Sequence, residues 1–287
     1  MSFRIPFCFW VVFSSFLIAV PPVAQSQSFF KAGKSGKLRR GRAASKTPSG
    51  PTSAAPFILV LDAGHGGRDS GSKGLGSLLE KNFTLRAAKL LAKRLSRYPE
   101  MKVVFTRDSD TEITAVHRSA VANHNGAALL VSIHADASWR PNARGSSIMV
   151  AAPQRPPRVE GEAAQALALR WQRGQNVFLA ESRRFAKGLQ KRFAEIQKGR
   201  KPPIRSLTLL ALEGARVPAA YVSIGVISTP EEAARLRELK IENPYLVAIE
   251  AEIIRFAGLP ERPMEEASAK EDAAPVPERN PEESEGN

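Results

Sequence analysis

Two histidines and one glutamate stand where a metal ion could be held. His65 lies in the stretch Leu61-Asp-Ala-Gly-His-Gly-Gly67, directly after a short apolar run that begins at Phe57. His134 closes a second apolar run, Ala128-Leu-Leu-Val-Ser-Ile-His134. Flanking glycines let the backbone turn sharply and let a bound group approach closely. Glu80 opens an amphipathic segment, and a carboxylate at a helix start is favoured by the helix dipole. Two imidazoles and one carboxylate make a three-ligand zinc set with a fourth position left for water or substrate. Calcium or magnesium would call for more oxygen ligands, so zinc is the expected ion. Each residue alone also has an ordinary reading, as a hydrogen-bonded polar side chain or a helix cap. What joins them is that both histidines fall at ends of apolar runs. Asp62, three residues before His65, either orients that imidazole through its other ring nitrogen or stabilises the loop. His117 and His124 sit in a helical pattern and are expected at the surface.

The elements that must position these residues follow from the hydrophobic pattern. Phe57 to Asp62, Lys102 to Thr106, Ala128 to His134 and Ala220 to Ile227 are short, mostly β-branched or aromatic runs, the signature of strands buried on both faces of a largely parallel sheet. Helical spacing is expected over Glu80 to Arg97, Ile113 to Asn125 and Val177 to Gln197, where Phe185, Leu189 and Phe193 recur every four residues. Gly145 to Ala152 and Leu207 to Leu212 read as further strands, Glu242 to Phe256 as a last helix, and 153–176 as an irregular excursion. This alternation predicts an α/β fold, a single three-layer domain with a mostly parallel twisted sheet flanked by helices. In such sheets the ligand site lies beyond the carboxyl ends of the strands, where His65 and His134 are found.

The ends of the chain differ in composition from its middle. Of 287 residues 43% are hydrophobic, enough for a buried core. Residues 1–26 carry one early cation, Arg4, then an apolar run from Phe7 to about Val20 and small residues at Ala24 and Ser26, the layout of a secretory signal peptide. The alternative is an uncleaved membrane anchor, but the run is short of the ~20 residues that span a bilayer, so a cleaved signal with no stable membrane insertion afterwards is expected. The single cysteine, Cys8, lies in that run, so the exported chain has neither a disulfide nor a cysteine nucleophile. Residues 27–56 form a basic flexible linker rich in Gly, Ser, Ala and Pro, and 260–287 an acidic tail expected to be disordered. The domain is then 57–259. Its basic character suits either an anionic partner such as a cell-wall polymer or a merely solvated surface. Export and the lack of an aromatic-interleaved basic motif argue against nucleic acid.

Several stretches together carry a resemblance to a known family. LDAGHGGRDSGSKG, LEKNFTLRAAKLLAKRL, VVFTRDSD, HRSAVANHNGAALLVSIHADAS, ARGSSIMV and PAAYVSIGVISTPEEAARL occur in the order found in the zinc-dependent N-acetylmuramoyl-L-alanine amidases, amidase type 3. The chain resembles that family over nearly all of 57–257. The resemblance implies zinc bound by His65, Glu80 and His134, peptidoglycan as substrate, cleavage of the amide between the muramic acid lactyl group and L-alanine, and a place in the periplasm or cell envelope. It also exposes a departure. The family's strand Val-Glu-x-Gly-Phe-x-Ser-Asn, whose glutamate is the general base and acid, reads here Val222-Ser-Ile-Gly-Val-Ile-Ser-Thr229, with Ser223 in the glutamate's place. Loss of a positioned acid/base typically costs ~10²–10⁴ in rate. Glu213, at the end of the preceding predicted strand, is either a substitute base or a surface residue. Two functions stay open: a zinc amidase, or a pseudo-amidase that binds wall material or regulates another hydrolase, with a regulatory protein as a possible partner. A serine hydrolase is not supported, since no Gly-x-Ser-x-Gly motif occurs.

Overall fold

The computed structural model describes residues 55–263, apart from 154, 156 and 157. The expected signal peptide, nearly all of the linker and the tail beyond residue 263 lie outside the described residues. Six strands form one sheet: β1 (Phe57–Ala63), β2 (Met101–Phe105), β3 (Leu129–Asp136), β4 (Ser147–Ala151), β5 (Ile204–Leu207) and β6 (Ala219–Val226). Their order across the sheet is β2-β1-β3-β6-β4-β5. The first four in that order run parallel, β4 runs antiparallel to β6, and β5 runs parallel to β4.

Alternation along the central strands sends side chains into two separate cores. Leu59 and Leu61 of β1 pack in one cluster with Phe83, Ala87 and Leu91 of α1 (Glu80–Leu95), Phe185 and Leu189 of α4 (Leu179–Ile196), and Ile249 and Ile253 of α6 (Pro244–Ala257). Val60, between them, joins the other cluster with Ala122 of α2 (Ala115–His124) and with Leu212. Helices therefore cover both faces, giving the three layers expected from the sequence. Each such fully buried Leu or Phe contributes about 1.5–3 kcal/mol of transfer free energy, which is why the short runs behave as strands without any alternating polar face.

Four features differ from the sequence expectation. The excursion at 153–176 contains a helix, α3 (Glu162–Asn176). Its sequence EAAQALALRWQRGQN is rich in strong helix formers, which outweigh the single Gly174 that suggests a loop. The expected strand at Leu207–Leu212 is divided: β5 stops at Leu207, and a 3-10 turn at Leu210–Leu212 follows, which buries Leu212 against Val60 and Ala122. An additional helix, α5 (Pro230–Arg237), begins with Pro230 in its first turn followed by Glu231 and Glu232, favourable residues for a helix start. Finally, the strand at 147–151 enters the sheet antiparallel, so the parallel block ends at β6. Among the described residues, no helix is long and apolar enough to cross a membrane.

Candidate metal centre

The carboxyl ends of β1 and β3 lie side by side, with Ala63 in register with Ile133. His65 follows β1 by two residues and adopts φ 63°, a left-handed conformation that a non-glycine residue holds only when its surroundings impose it. Those surroundings are two buried arginines. Arg107 donates to the carbonyls of Ala63 (2.9 Å) and Gly64 (2.8 Å), while Arg118 donates to those of Ala63 (2.8 Å) and His65 (2.9 Å). Close approach from β3 requires Gly64, because a Cβ there would overlap the His134 ring. Gly71, at φ 62°, is similarly confined by His65 and the Glu80 carboxylate.

Glu80 is the first residue of α1 and is almost fully buried. One carboxylate oxygen meets Nδ1 of His134 at 2.9 Å and accepts the Ala135 N–H at 3.1 Å. The other meets Nε2 of His65 at 3.1 Å and accepts the Ser72 N–H at 2.9 Å. His65, Glu80 and His134 each offer a ligand atom, all within 4.8 Å of one another. Burial opposes the charge on Glu80, yet the two histidines hold its pKa far below the usual carboxylate value. Burial likewise opposes charge on His65, but Glu80 and Asp69 more than offset it and raise its pKa. The two imidazoles stand edge to face, with centroids 5.1 Å apart. Two nitrogen donors and one carboxylate, converging and mostly buried, fit a borderline-soft divalent ion such as zinc.

Of the two roles the sequence leaves open for Asp62, its contacts fit stabilisation of the loop through Arg118, and not orientation of His65. Its carboxylate does not touch His65; it is fully buried and takes hydrogen bonds from Thr106 (2.6 Å), Arg118 (2.5 Å) and Ser132 (2.5 Å). Strand order explains this, since β1 is flanked by β2 and β3, and Thr106 and Ser132 stand at its two sides. Ser132 in turn lies 3.2 Å from Nε2 of His134. Asp69 is the residue that holds His65, through Nδ1 at 2.8 Å. Its i+4 spacing inside a glycine-bounded loop was the available signal, obscured by the nearer Asp62. Tyr221 was also missed: its ring stacks on His134 at 4.0 Å and 15°, and its hydroxyl donates to Asp136 at 3.1 Å. Two residues before Ser223 on the same strand, it shares that residue's face. His117 and His124 are exposed, as expected.

Ser223 is the cross-strand partner of His134. It is fully buried, accepts the Asp136 N–H at 2.9 Å and donates to the Gly225 carbonyl at 3.2 Å. Glu213 is exposed at the end of the 3-10 turn. Its neighbour Gly214 accepts a hydrogen bond from Asn123 of α2 at 2.9 Å. Among the described residues, no hydrogen bond or ion pair joins Glu213 to the three candidate ligands.

Residues 59–255 match a family model described as N-acetylmuramoyl-L-alanine amidase. The chain is 46% identical over 99 residues to the probable N-acetylmuramoyl-L-alanine amidase AmiB of Haemophilus influenzae, a match covering 34% of this chain and 23% of that protein. It is 28% identical over 220 residues to the N-acetylmuramoyl-L-alanine amidase AmiC of Escherichia coli O6:H1, covering 69% of this chain and 52% of the relative. These matches thus span about half or less of the curated relatives. The crystal structure of an N-acetylmuramoyl-L-alanine amidase from Clostridium difficile 630 shares the fold, with a TM-score of 0.58 and 24% identity over 71% of this chain and 98% of that one.

Proposed function

Because the chain belongs to the N-acetylmuramoyl-L-alanine amidase family, we propose that it hydrolyses the amide between the muramic acid lactyl group and L-alanine of peptidoglycan, with zinc held by His65, Glu80 and His134. The observation that carries this reading is the convergence of those three side chains at the carboxyl ends of β1 and β3. Zinc bound there would polarise the amide carbonyl and acidify water. The chain's own part is to keep the donors in place. Asp69 fixes the ring of His65, Tyr221 and Ser132 fix that of His134, and two backbone N–H groups fix the Glu80 carboxylate. We assign the chain to the cell envelope or periplasm on the signal-like character of residues 1–26.

A second reading rests on Ser223. Its hydroxyl is already engaged in two backbone contacts, and an alcohol cannot take a proton at neutral pH as a carboxylate does. A chain that keeps the metal donors and lacks the carboxylate could hold wall material, or regulate another hydrolase through a protein partner, while reacting slowly. The amidase reading predicts slow, chelator-sensitive release of dye from labelled peptidoglycan by the zinc-quantified chain. Ser223→Glu is expected to raise that rate by about 10²–10⁴. Zinc-loaded wild type without turnover, rescued by Ser223→Glu, would favour the second reading; no release by either form, both folded and zinc-loaded, would sink the first.

A further inference from the structure

The loops that follow β3 and β6 leave the sheet at the end that carries His134 and Ser223. Between them lies a groove of about 490 Å³ lined by Pro141, Asn142, Arg144, Thr229, Pro230 and Glu231, among others. Two residues before Pro141, Trp139 leaves 87% of its surface exposed. Exposed apolar residues are ordinary when scattered singly, and Val116 or Leu210 needs no further account. Trp139 differs in where it stands and in how its loop is held. The Ser138 N–H donates to Ser228 Oγ at 2.9 Å, and that hydroxyl donates back to the Ser138 carbonyl at 2.9 Å, tying the β3 loop to the β6 loop. Within the loop, Arg140 N–H donates to Ser138 Oγ at 3.1 Å and Ala143 N–H to the Arg140 carbonyl at 3.1 Å. The Arg140 guanidinium stands 5.3 Å from the indole centroid. A large flat ring is therefore presented to solvent on an anchored backbone.

We propose that Trp139 and the adjoining groove form a saccharide subsite, in which the indole stacks on the C–H face of an N-acetylated hexosamine of the wall glycan. A pyranose offers an apolar face and a polar rim, and the site offers the matching pair. Trp139 supplies apolar area at low cost in side-chain entropy. Asn142 and Glu231, both exposed, supply an amide and a carboxylate for ring hydroxyls and the acetamido group, and the exposed Arg144 supplies a cation for carboxylates near the sugar. A lipid tail or an apolar helix would find too many polar groups in this groove. The choice of ligand rests on the amidase reading. The bond that reading assigns is attached to the sugar through the lactyl group, so a saccharide subsite has to adjoin the metal centre, at this end of the sheet.

The test is calorimetric titration of the zinc-loaded full chain with a β-1,4-linked N-acetylglucosamine tetramer, which carries a sugar backbone and no lactyl amide. Wild type is expected to bind, Trp139→Ala to bind at least about tenfold more weakly, and Trp139→Phe to fall between. The thermal midpoint of both variants should match wild type, because a substitution at so exposed a position is nearly neutral. Equal binding by wild type and Trp139→Ala, or no binding by wild type, overturns the proposal. Since the tetramer contains no scissile amide, this result is independent of whether stem peptide is released, and the two readings fail separately.

Discussion

The half of the sheet built from β1 and β3 and the strand β6 beside it treat polar residues differently. Around β1 and β3 a continuous polar network runs from Arg118 through Asp62 and Ser132 to His134 and on to Glu80, all buried, and then outward through half-buried His65 to exposed Asp69. On β6 the residue facing His134 across the strands is Ser223, whose hydroxyl serves the backbone of Asp136 and Gly225. On the proposed amidase reading, holding donors and moving protons are separable tasks that fall to different strands. One can be retained while the other is altered.

The comparison breaks most severely at Asp62. Asp62→Ala leaves the Arg118 guanidinium buried without its carboxylate, a change that typically costs about 3–5 kcal/mol; chemical denaturation monitored by circular dichroism should show that loss, and a cost below 1 kcal/mol would mean the network is ornamental. Next in size, Glu80→Gln keeps the shape but removes the charge between the two histidines. Zinc affinity should fall by at least the ~10–100-fold seen when an outer partner of a ligand is lost, read by competition with a fluorescent chelator, and undiminished affinity would remove Glu80 from the ligand set. The smallest effect is expected from Glu213→Gln. Exposed and without a described contact to the three donors, Glu213 should alter release from labelled peptidoglycan by less than about twofold; a hundredfold loss would establish it as the substitute base after all.

Much of the fold was legible because buried parallel strands leave continuous apolar runs, and Phe57 to Asp62 and Ala128 to His134 are such runs. The candidate donors were legible for a related reason, since each falls where a run gives way to glycine or to a helix start. Helix α3 was not, because the prolines before it and Gly174 near its end suggest a loop. The partner of His65 was also illegible. Asp62 and Asp69 both lie within four residues of it, and the strands flanking Asp62 together with the left-handed turn at His65 decide which carboxylate faces Nδ1.

By itself, then, the amino-acid sequence determined the donor types, the order of the motifs and the presence of serine at position 223, all of which are local properties of the chain. Tertiary structure decided that Glu80 bridges both histidines, that Tyr221 stacks on one of them, that Trp139 stands beside a groove, and that Asp62 belongs to Arg118, Thr106 and Ser132. Those pairings depend on which strands become neighbours, in the order β2-β1-β3-β6-β4-β5, and on the helices that pack on the two faces. Periodicity along one segment reports how that segment is buried, but says nothing of what stands across from it.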